Sequence, residues 1–289
     1  MLARLGLAAM WTLHALPLAI LARLGEAFGM LLYALAAERR RICVLNLRRC
    51  FPELRPRARA RLARRHFRAL GRSIIERGIL WWAPRARILR LVRLEGYEHF
   101  AAVRGGPVIL LVPHFVSLDV GYARLTCEID CTGVYANQKS ETMNRVLLKG
   151  RTRFGHQRPF SRQEGIRPVL KALSQGLPMY YLPDQDYGAR DALFVPFFGV
   201  AAATITGLPR LARLARARVV PCVTRMLSGN RGYELRFYPA WEGFPGADIV
   251  QDVRRMNAFI EERVREMPEQ YLWTHKRFKT RPGGEPKWY

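Results

Sequence analysis

The chain has 289 residues, 49% of them hydrophobic, which excludes a disordered protein and allows one large core with an attached segment. Its 48 basic residues outnumber 23 acidic ones, and the net charge of +25 attracts acidic partners such as nucleic acid, anionic lipid or an acidic carrier protein. The five cysteines form no CxxC pair and lie in apolar or mixed sequence, which indicates reduced structural thiols.

The first segment, residues 2–37, is dominated by Leu, Ala, Met, Trp and Phe, a composition typical of membrane-seeking sequence. Residues 6–22 carry no formal charge and would span about 25 Å as a helix, near the short limit for a bilayer crossing, although Pro17 weakens this helix. A single span, an interfacial helix and a signal peptide cleaved after 34–36 are the alternatives.

An arginine cluster follows this segment and decides among the alternatives. Its members are Arg39, Arg40, Arg41, Arg48 and Arg49. A cleaved signal would require their export, whereas the positive-inside rule retains them in the cytoplasm. We therefore predict a membrane anchor over residues 1–38, which either spans or lies on the membrane, and a single domain over 39–289 on the cytoplasmic face.

The remaining sequence predicts an α/β fold. Residues 57–93 show helical spacing of apolar positions, with a break at Pro84. Three short apolar runs, 108–112, 179–182 and 219–220, are each followed by proline and one polar or reactive residue. Such runs are typical of strands buried on both faces, so we expect a mixed, largely parallel central sheet flanked by helices. Ligand sites in such sheets lie beyond the carboxyl ends of the strands, where His114 and Asp184 would lie.

His114 and Asp119 form the principal candidate catalytic pair. A turn from strand to helix can bring the imidazole back onto a carboxylate in the first helical turn, and their hydrogen bond would fix the tautomer and stabilise the imidazolium. His114 would then act as a general base on a hydroxyl that attacks an ester or thioester. The alternatives are a purely structural histidine and a metal site, which the lack of a second nearby histidine disfavours.

Seven ordered blocks between Arg39 and the C-terminus resemble a known family. They are NL at 46–47 with CFPE at 50–53, HFVSLD at 114–119, GRTR at 150–153, DQDYG at 184–188, FVPFFG at 194–199, ATITG at 203–207, and PEQYLW at 268–273 with His275 and RFKTRP at 277–282. The chain resembles the lipid A biosynthesis lauroyl and myristoyl acyltransferases of Gram-negative bacteria, within the lysophospholipid acyltransferase superfamily.

The resemblance implies an acyltransferase at the cytoplasmic face of the bacterial inner membrane. It would transfer an acyl chain from acyl carrier protein to a hydroxyl of a Kdo-bearing lipid A precursor. His114 matches the catalytic base of the family and Asp119 its partner carboxylate, at a position where many members carry Glu. Neither a metal nor another cofactor is expected, because the thioester is already activated.

Further candidates bind substrate. Arg151 and Arg153 match the basic pair of the family and would hold an acceptor phosphate or the thioester oxygen, unless they are ordinary surface arginines. Asp184 and Asp186 would orient these arginines; a metal pair or a second base is the alternative. His275 is expected to be structural. Three phenylalanines are candidates for an acyl-chain groove, although core packing is the commoner role of such residues: Phe194, Phe197 and Phe198.

Two other functions remain open from the sequence. One retains the chemistry but changes the acceptor to a lysophospholipid, a glycolipid or an ornithine lipid. The other is a non-enzymatic basic protein that binds a membrane or nucleic acid. The lack of an RNP-type aromatic motif and of a zinc framework, together with the membrane-seeking segment, disfavours nucleic acid. Neither a P-loop nor a GxGxxG after a strand indicates a nucleotide cofactor.

Overall fold

The structure is a computed structural model that describes residues 2–138, 140–283 and 285–289. The helices are α1 (Leu2–Leu13), α2 (Leu18–Leu35), α3 (Ala37–Cys50), α4 (Pro56–Ile75), α5 (Arg77–Trp82), α6 (Arg85–Leu91), α7 (Tyr97–Ala101), α8 (Leu118–Leu125), α9 (Glu141–Arg151), α10 (Arg167–Ser174), α11 (Gly207–Ala215) and α12 (Ile249–Glu266). The strands are β1 (Val92–Glu95), β2 (Val108–Leu111), β3 (Thr132–Tyr135), β4 (Arg158–Ser161), β5 (Met179–Tyr181), β6 (Ala192–Phe197), β7 (Val200–Ile205), β8 (Arg218–Met226) and β9 (Tyr233–Phe237).

Seven strands form the central sheet in the order β1–β9–β8–β2–β5–β3–β4, and β6 and β7 form a separate antiparallel hairpin. In the central sheet β8 and β9 pair antiparallel, and all other neighbours pair parallel. The predicted α/β fold with a largely parallel sheet is thus confirmed. The three apolar runs become β2, β5 and β8, which are adjacent at the centre of the sheet.

The run at 219–220 differs from its prediction in one respect. Instead of ending at Pro221, β8 continues to Met226 and pairs with β9 from Cys222 onward. Proline lacks an N–H, but Pro221 still accepts a hydrogen bond from Tyr238 N through its carbonyl, so the strand passes through it.

Helices cover both faces of the sheet. Because side chains alternate along a strand, Ile109 and Leu111 of β2 face one apolar cluster, whereas Val108 and Leu110 face another. On the first face, α10 and α11 contribute Val169, Leu208 and Leu211, and α3 and α12 pack there too. On the second face, α5 and α8 contribute Ile79, Leu80 and Val120.

The N-terminal segment forms two helices, not one continuous helix over 6–22. Residues 14–17 separate α1 from α2, because proline disfavours helical geometry in the residue before it. Among the described residues, α2 is the helix long and apolar enough to cross a membrane. It packs closely on α4 through Gly25 and Gly29, while Leu24, Leu31 and Leu35 remain exposed. The boundary at residue 38 stays a prediction.

Candidate active site

His114 and Asp184 meet at the carboxyl edge of the central sheet. The register of β2 and β5 pairs Leu111 with Tyr181, and each functional residue follows its paired residue by three positions. Parallel strands in register therefore bring the two side chains together. His114 Nδ1 lies 2.6 Å from Asp184 Oδ1, and the backbone N–H of His114 donates to Asp184 Oδ2 at 2.9 Å.

This arrangement keeps Asp184 ionised and fixes the tautomer of His114. The Asp184 side chain is fully buried, and that of His114 is 13% exposed. Burial by itself raises the pKa of the Asp184 carboxyl, but the charge and hydrogen bonds of His114 outweigh it and hold the pKa below its usual range. An ionised Asp184 accepts the Nδ1 proton of His114, which leaves Nε2 as the basic nitrogen.

Asp119 makes different contacts from the one expected. Its carboxylate lies 3.0 Å from Arg77 Nη2 and 3.5 Å from Arg151 Nη2, and within the described residues Asp184 is the hydrogen-bond partner of His114 Nδ1. The expected orientation of His114 by Asp119 is therefore corrected to Asp184. The reason is the direction of α8, whose first turn faces α5 and α9, the helices that carry the two arginines.

The cluster of Asp119 with two arginines has its own electrostatics. Burial tends to raise the pKa of Asp119, but the charges of Arg77 and Arg151 dominate and hold the pKa below its usual range. The two arginines share one carboxylate, so the cluster retains a net positive charge beside His114. Arg77 was missed in the sequence because it is one arginine among many in an arginine-rich helical region.

The other predicted polar residues separate into two groups. Arg151 lines the site, whereas Arg153 donates to the backbone carbonyls of Leu80 and Ala83, at 2.8 Å each, and so caps the end of α5. Asp184 orients His114 rather than either arginine. Asp186 accepts hydrogen bonds from Thr280 N (2.6 Å) and Thr280 Oγ1 (2.7 Å), which attach the C-terminal segment.

His275 lies close to the catalytic edge of the sheet. Its Nε2 accepts from the backbone N–H of Asp186 at 3.3 Å. Burial, assisted by the nearby charge of His114, lowers the pKa of His275 to about 4. His275 is therefore neutral near pH 7, and its structural role stays a prediction.

A groove of about 810 Å³ opens at His114. It lies where β3 and β5 part: their pairing ends at Gly133 and Tyr180, whereas β3 continues to pair with β4 as far as Tyr135. The lining comes from both faces of the sheet, with Leu118 and Tyr122 of α8 on one side and Leu211 and Leu214 of α11 on the other. Met179, Tyr181 and Ile205 add further apolar surface. An apolar groove of this size suits an acyl chain.

The three candidate phenylalanines lie elsewhere. Phe197 is fully buried against Tyr271 and Phe278, and Phe198 packs on Phe51 and Trp273. Phe194 lies on the β6–β7 hairpin and is 41% exposed. The hairpin directs alternate residues into the core beneath α12, so the acyl-groove assignment does not hold for the groove at His114.

Comparison with known proteins identifies the family of this chain. The family model for the bacterial lipid A biosynthesis acyltransferase matches residues 1–280. The chain is 33% identical to the lipid A biosynthesis lauroyltransferase of Escherichia coli (strain K12), over 99% of this chain and 94% of the relative. It is 32% identical to the palmitoleoyltransferase of that organism, over 98% and 93%, and 32% identical to its myristoyltransferase, over 92% and 82%. The chain belongs to the bacterial lipid A biosynthesis acyltransferase family.

Proposed function

We propose that this protein transfers a fatty acyl chain from acyl carrier protein to a hydroxyl of a Kdo-bearing lipid A precursor, at the cytoplasmic face of the inner membrane. The observation that carries this proposal is the His114–Asp184 pair at the head of an apolar groove, in a chain of this family. Neither a metal nor another cofactor is part of the proposed reaction.

His114 is the general base of the proposed reaction. Its Nε2 takes the proton from the acceptor hydroxyl while the hydroxyl oxygen attacks the carbonyl carbon of the thioester. The tetrahedral intermediate then collapses, the C–S bond breaks, and the proton passes from the imidazolium to the leaving thiolate. The products are an acyl ester and a free thiol, and His114 returns to its neutral form. Asp184 stabilises the transient imidazolium because it is buried, ionised and hydrogen-bonded to Nδ1.

Asp119 positions positive charge beside this centre. It holds Arg77 and Arg151 through one carboxylate, and Arg151 reaches the groove. A guanidinium there stabilises the negative charge that develops on the thioester oxygen, or binds a phosphate of the acceptor. Asp119 thus contributes to catalysis through the arginines, and Asp184 through the imidazole.

The membrane location is supported by the N-terminal helices. The helix α2 is apolar, with exposed leucines, and α1 packs beside α5 and α9, next to the arginine cluster of the site. A lipid acceptor that enters from the membrane would meet Arg77, Asp119 and Arg151 first. The arginines of α3 remain on the cytoplasmic side by the positive-inside rule.

Acyl transfer by membranes that contain the wild-type protein or His114→Ala tests this proposal. The substrates are a Kdo-bearing lipid A precursor and a series of acyl carrier thioesters. We expect transfer by the wild type and a loss of about a hundredfold or more in His114→Ala, as on removal of a general base. The control is His156→Ala, because His156 is exposed and outside the groove. Transfer only to a lysophospholipid or an ornithine lipid would contradict the proposed acceptor. Full activity in His114→Ala would contradict the proposed mechanism.

A further inference from the structure

One end of the groove opens between α10 and α11, and this mouth is both apolar and basic. Ile166, just before α10, and Leu214 on α11 line the groove although they are 42% and 69% exposed. Exposed apolar side chains at the edge of a groove usually mark a surface that another molecule covers. Two large aliphatic side chains thus remain in water at the place where a ligand would enter.

Arginines surround these two side chains. Those that line the mouth are Arg162, Arg190 and Arg210, and those close in sequence to its two aliphatic residues are Arg167 and Arg216. The nearby carboxylates do not balance this charge: Asp191 lies 3.0 Å from Arg210 Nη1 and 3.9 Å from Arg190 Nε, and Glu164 accepts from the backbone N–H of Ser161 at 2.5 Å. The side chain of Arg190 is 97% exposed. The mouth is therefore strongly positive, and its charges are available to an acidic partner.

The sheet separates this mouth from α1. Leu13 and Leu16, at the end of α1, pack against the apolar cluster of α5 and α8. Leu208 and Leu211 of α11 belong to the cluster on the opposite face. Helix α1 thus adjoins the side of the groove at Asp119 and Arg151, and the α10–α11 mouth lies on the opposite side. A groove with two sides lets a lipid and a water-soluble donor approach His114 separately.

We propose that the α10–α11 mouth is the docking surface for an acidic acyl carrier protein, which inserts its acyl chain between Ile166 and Leu214. This inference rests on the proposed function, in which the donor is a thioester on such a carrier. Arginine is enriched in protein interfaces, and an arginine rim around an apolar centre fits a partner whose carboxylates surround a protruding acyl chain. The rim charges also accelerate encounter with the carrier.

Charge reversal on the rim tests this surface in the full-length protein. The variant Arg190→Glu with Arg167→Glu changes exposed side chains and is expected to fold normally. We expect the Kd for acyl carrier protein, measured by fluorescence titration, and the KM for the acyl carrier thioester to rise at least about tenfold. Transfer from the same acyl chain on a small thiol should not change. Leu214→Asp, which adds one negative charge at the apolar centre, should weaken carrier binding in the same direction.

The matched control is Arg57→Glu with Arg61→Glu, which makes the same change in net charge on the exposed face of α4. An equal loss of carrier binding in this control, or unchanged binding in the rim variant, would overturn the docking surface. If the rim variant lost binding to anionic vesicles but still bound the carrier, the mouth would be a membrane-binding surface instead. The titration does not require turnover, so inactivity of the wild type with every donor would count against the proposed function and leave this measurement valid.

Discussion

At the scale of single residues, the hydrogen-bond partner of His114 differs from the one that the sequence indicated. The spacing of His114 and Asp119 indicated a pair, but the pairing of β2 with β5 places Asp184 at Nδ1 instead. Both residues were predicted to lie at the carboxyl edge of the sheet, and both do. Their contact was not predicted, because local spacing reports neighbours along the chain whereas strand register determines neighbours across the sheet.

We predict that Asp184→Asn lowers kcat about a hundredfold or more, because the amide neither fixes the Nδ1–H tautomer nor stabilises the imidazolium. Besides kcat, proton NMR can follow the resonance of His114 Nδ1–H, which the hydrogen bond to Asp184 shifts downfield. This resonance should disappear in Asp184→Asn and persist in Asp119→Asn, although the second variant also disturbs Arg77 and Arg151. Persistence in Asp184→Asn together with loss in Asp119→Asn would restore Asp119 as the orienting carboxylate.

At the scale of elements, the contact between α2 and α4 ties the apolar N-terminal segment to the catalytic fold. Gly25 and Gly29, one turn apart on α2, face Gly71 on α4. A Cβ on Gly71 would lie well inside van der Waals distance of Gly25 O and of the Gly29 backbone. Small residues at this spacing let two helix backbones approach closely, as they do in membrane helix pairs. The segment is therefore packed into the fold and is not a separate attached helix.

Gly71→Leu should separate these two helices. Overpacking typically costs about 1–3 kcal/mol, and a clash with backbone atoms places this variant at the upper end of that range. We expect a lower unfolding temperature in detergent and faster proteolysis near residue 36, between α2 and α3. The control is Gly6→Ala, since a Cβ at Gly6 of α1 meets nothing within 4 Å. Equal unfolding temperatures for Gly71→Leu and the wild type would show that the contact does not contribute to stability.

At the scale of the whole molecule, the buried His66 and the half-buried His275 couple folding to pH. His66 on α4 has no exposed surface; its Nδ1 lies 3.0 Å from Glu269 O, and its Nε2 lacks a partner among the described residues. Burial lowers the pKa of His66 to about 4, and that of His275 is lowered to about 4 as well. In the unfolded chain each imidazole takes up a proton near pH 6.5, whereas in the folded protein it does so only near pH 4. Between these pH values protonation therefore favours the unfolded chain.

Stability should consequently be fully present above pH 6.5 and fall as the pH decreases toward 4. Each histidine contributes a slope of about 1.4 kcal/mol per pH unit within that window. We expect His66→Gln to flatten the pH dependence of the unfolding temperature, whereas exposed His156→Gln leaves it unchanged. An equally steep dependence in His66→Gln would mean that His66 is already charged in the folded protein.

The sequence by itself determined the α/β class, the three central strands, the position of His114 and the apolar N-terminus. Each of these follows from a local pattern: uninterrupted apolar runs, a proline at the end of a strand, or a long apolar segment. The seven ordered blocks also indicated the family that the comparisons confirm. Patterns of this kind depend on residues close together in the chain.

Only the tertiary structure decided which groups touch. It paired His114 with Asp184, joined Asp119 to Arg77 and Arg151, and assigned Arg153 to the end of α5. It also placed the apolar groove at His114 in the gap between β3 and β5, away from the phenylalanines of the hairpin. The physical reason is that these contacts join residues far apart in the chain, and strand register and helix direction, which set such contacts, arise only when the whole sheet assembles.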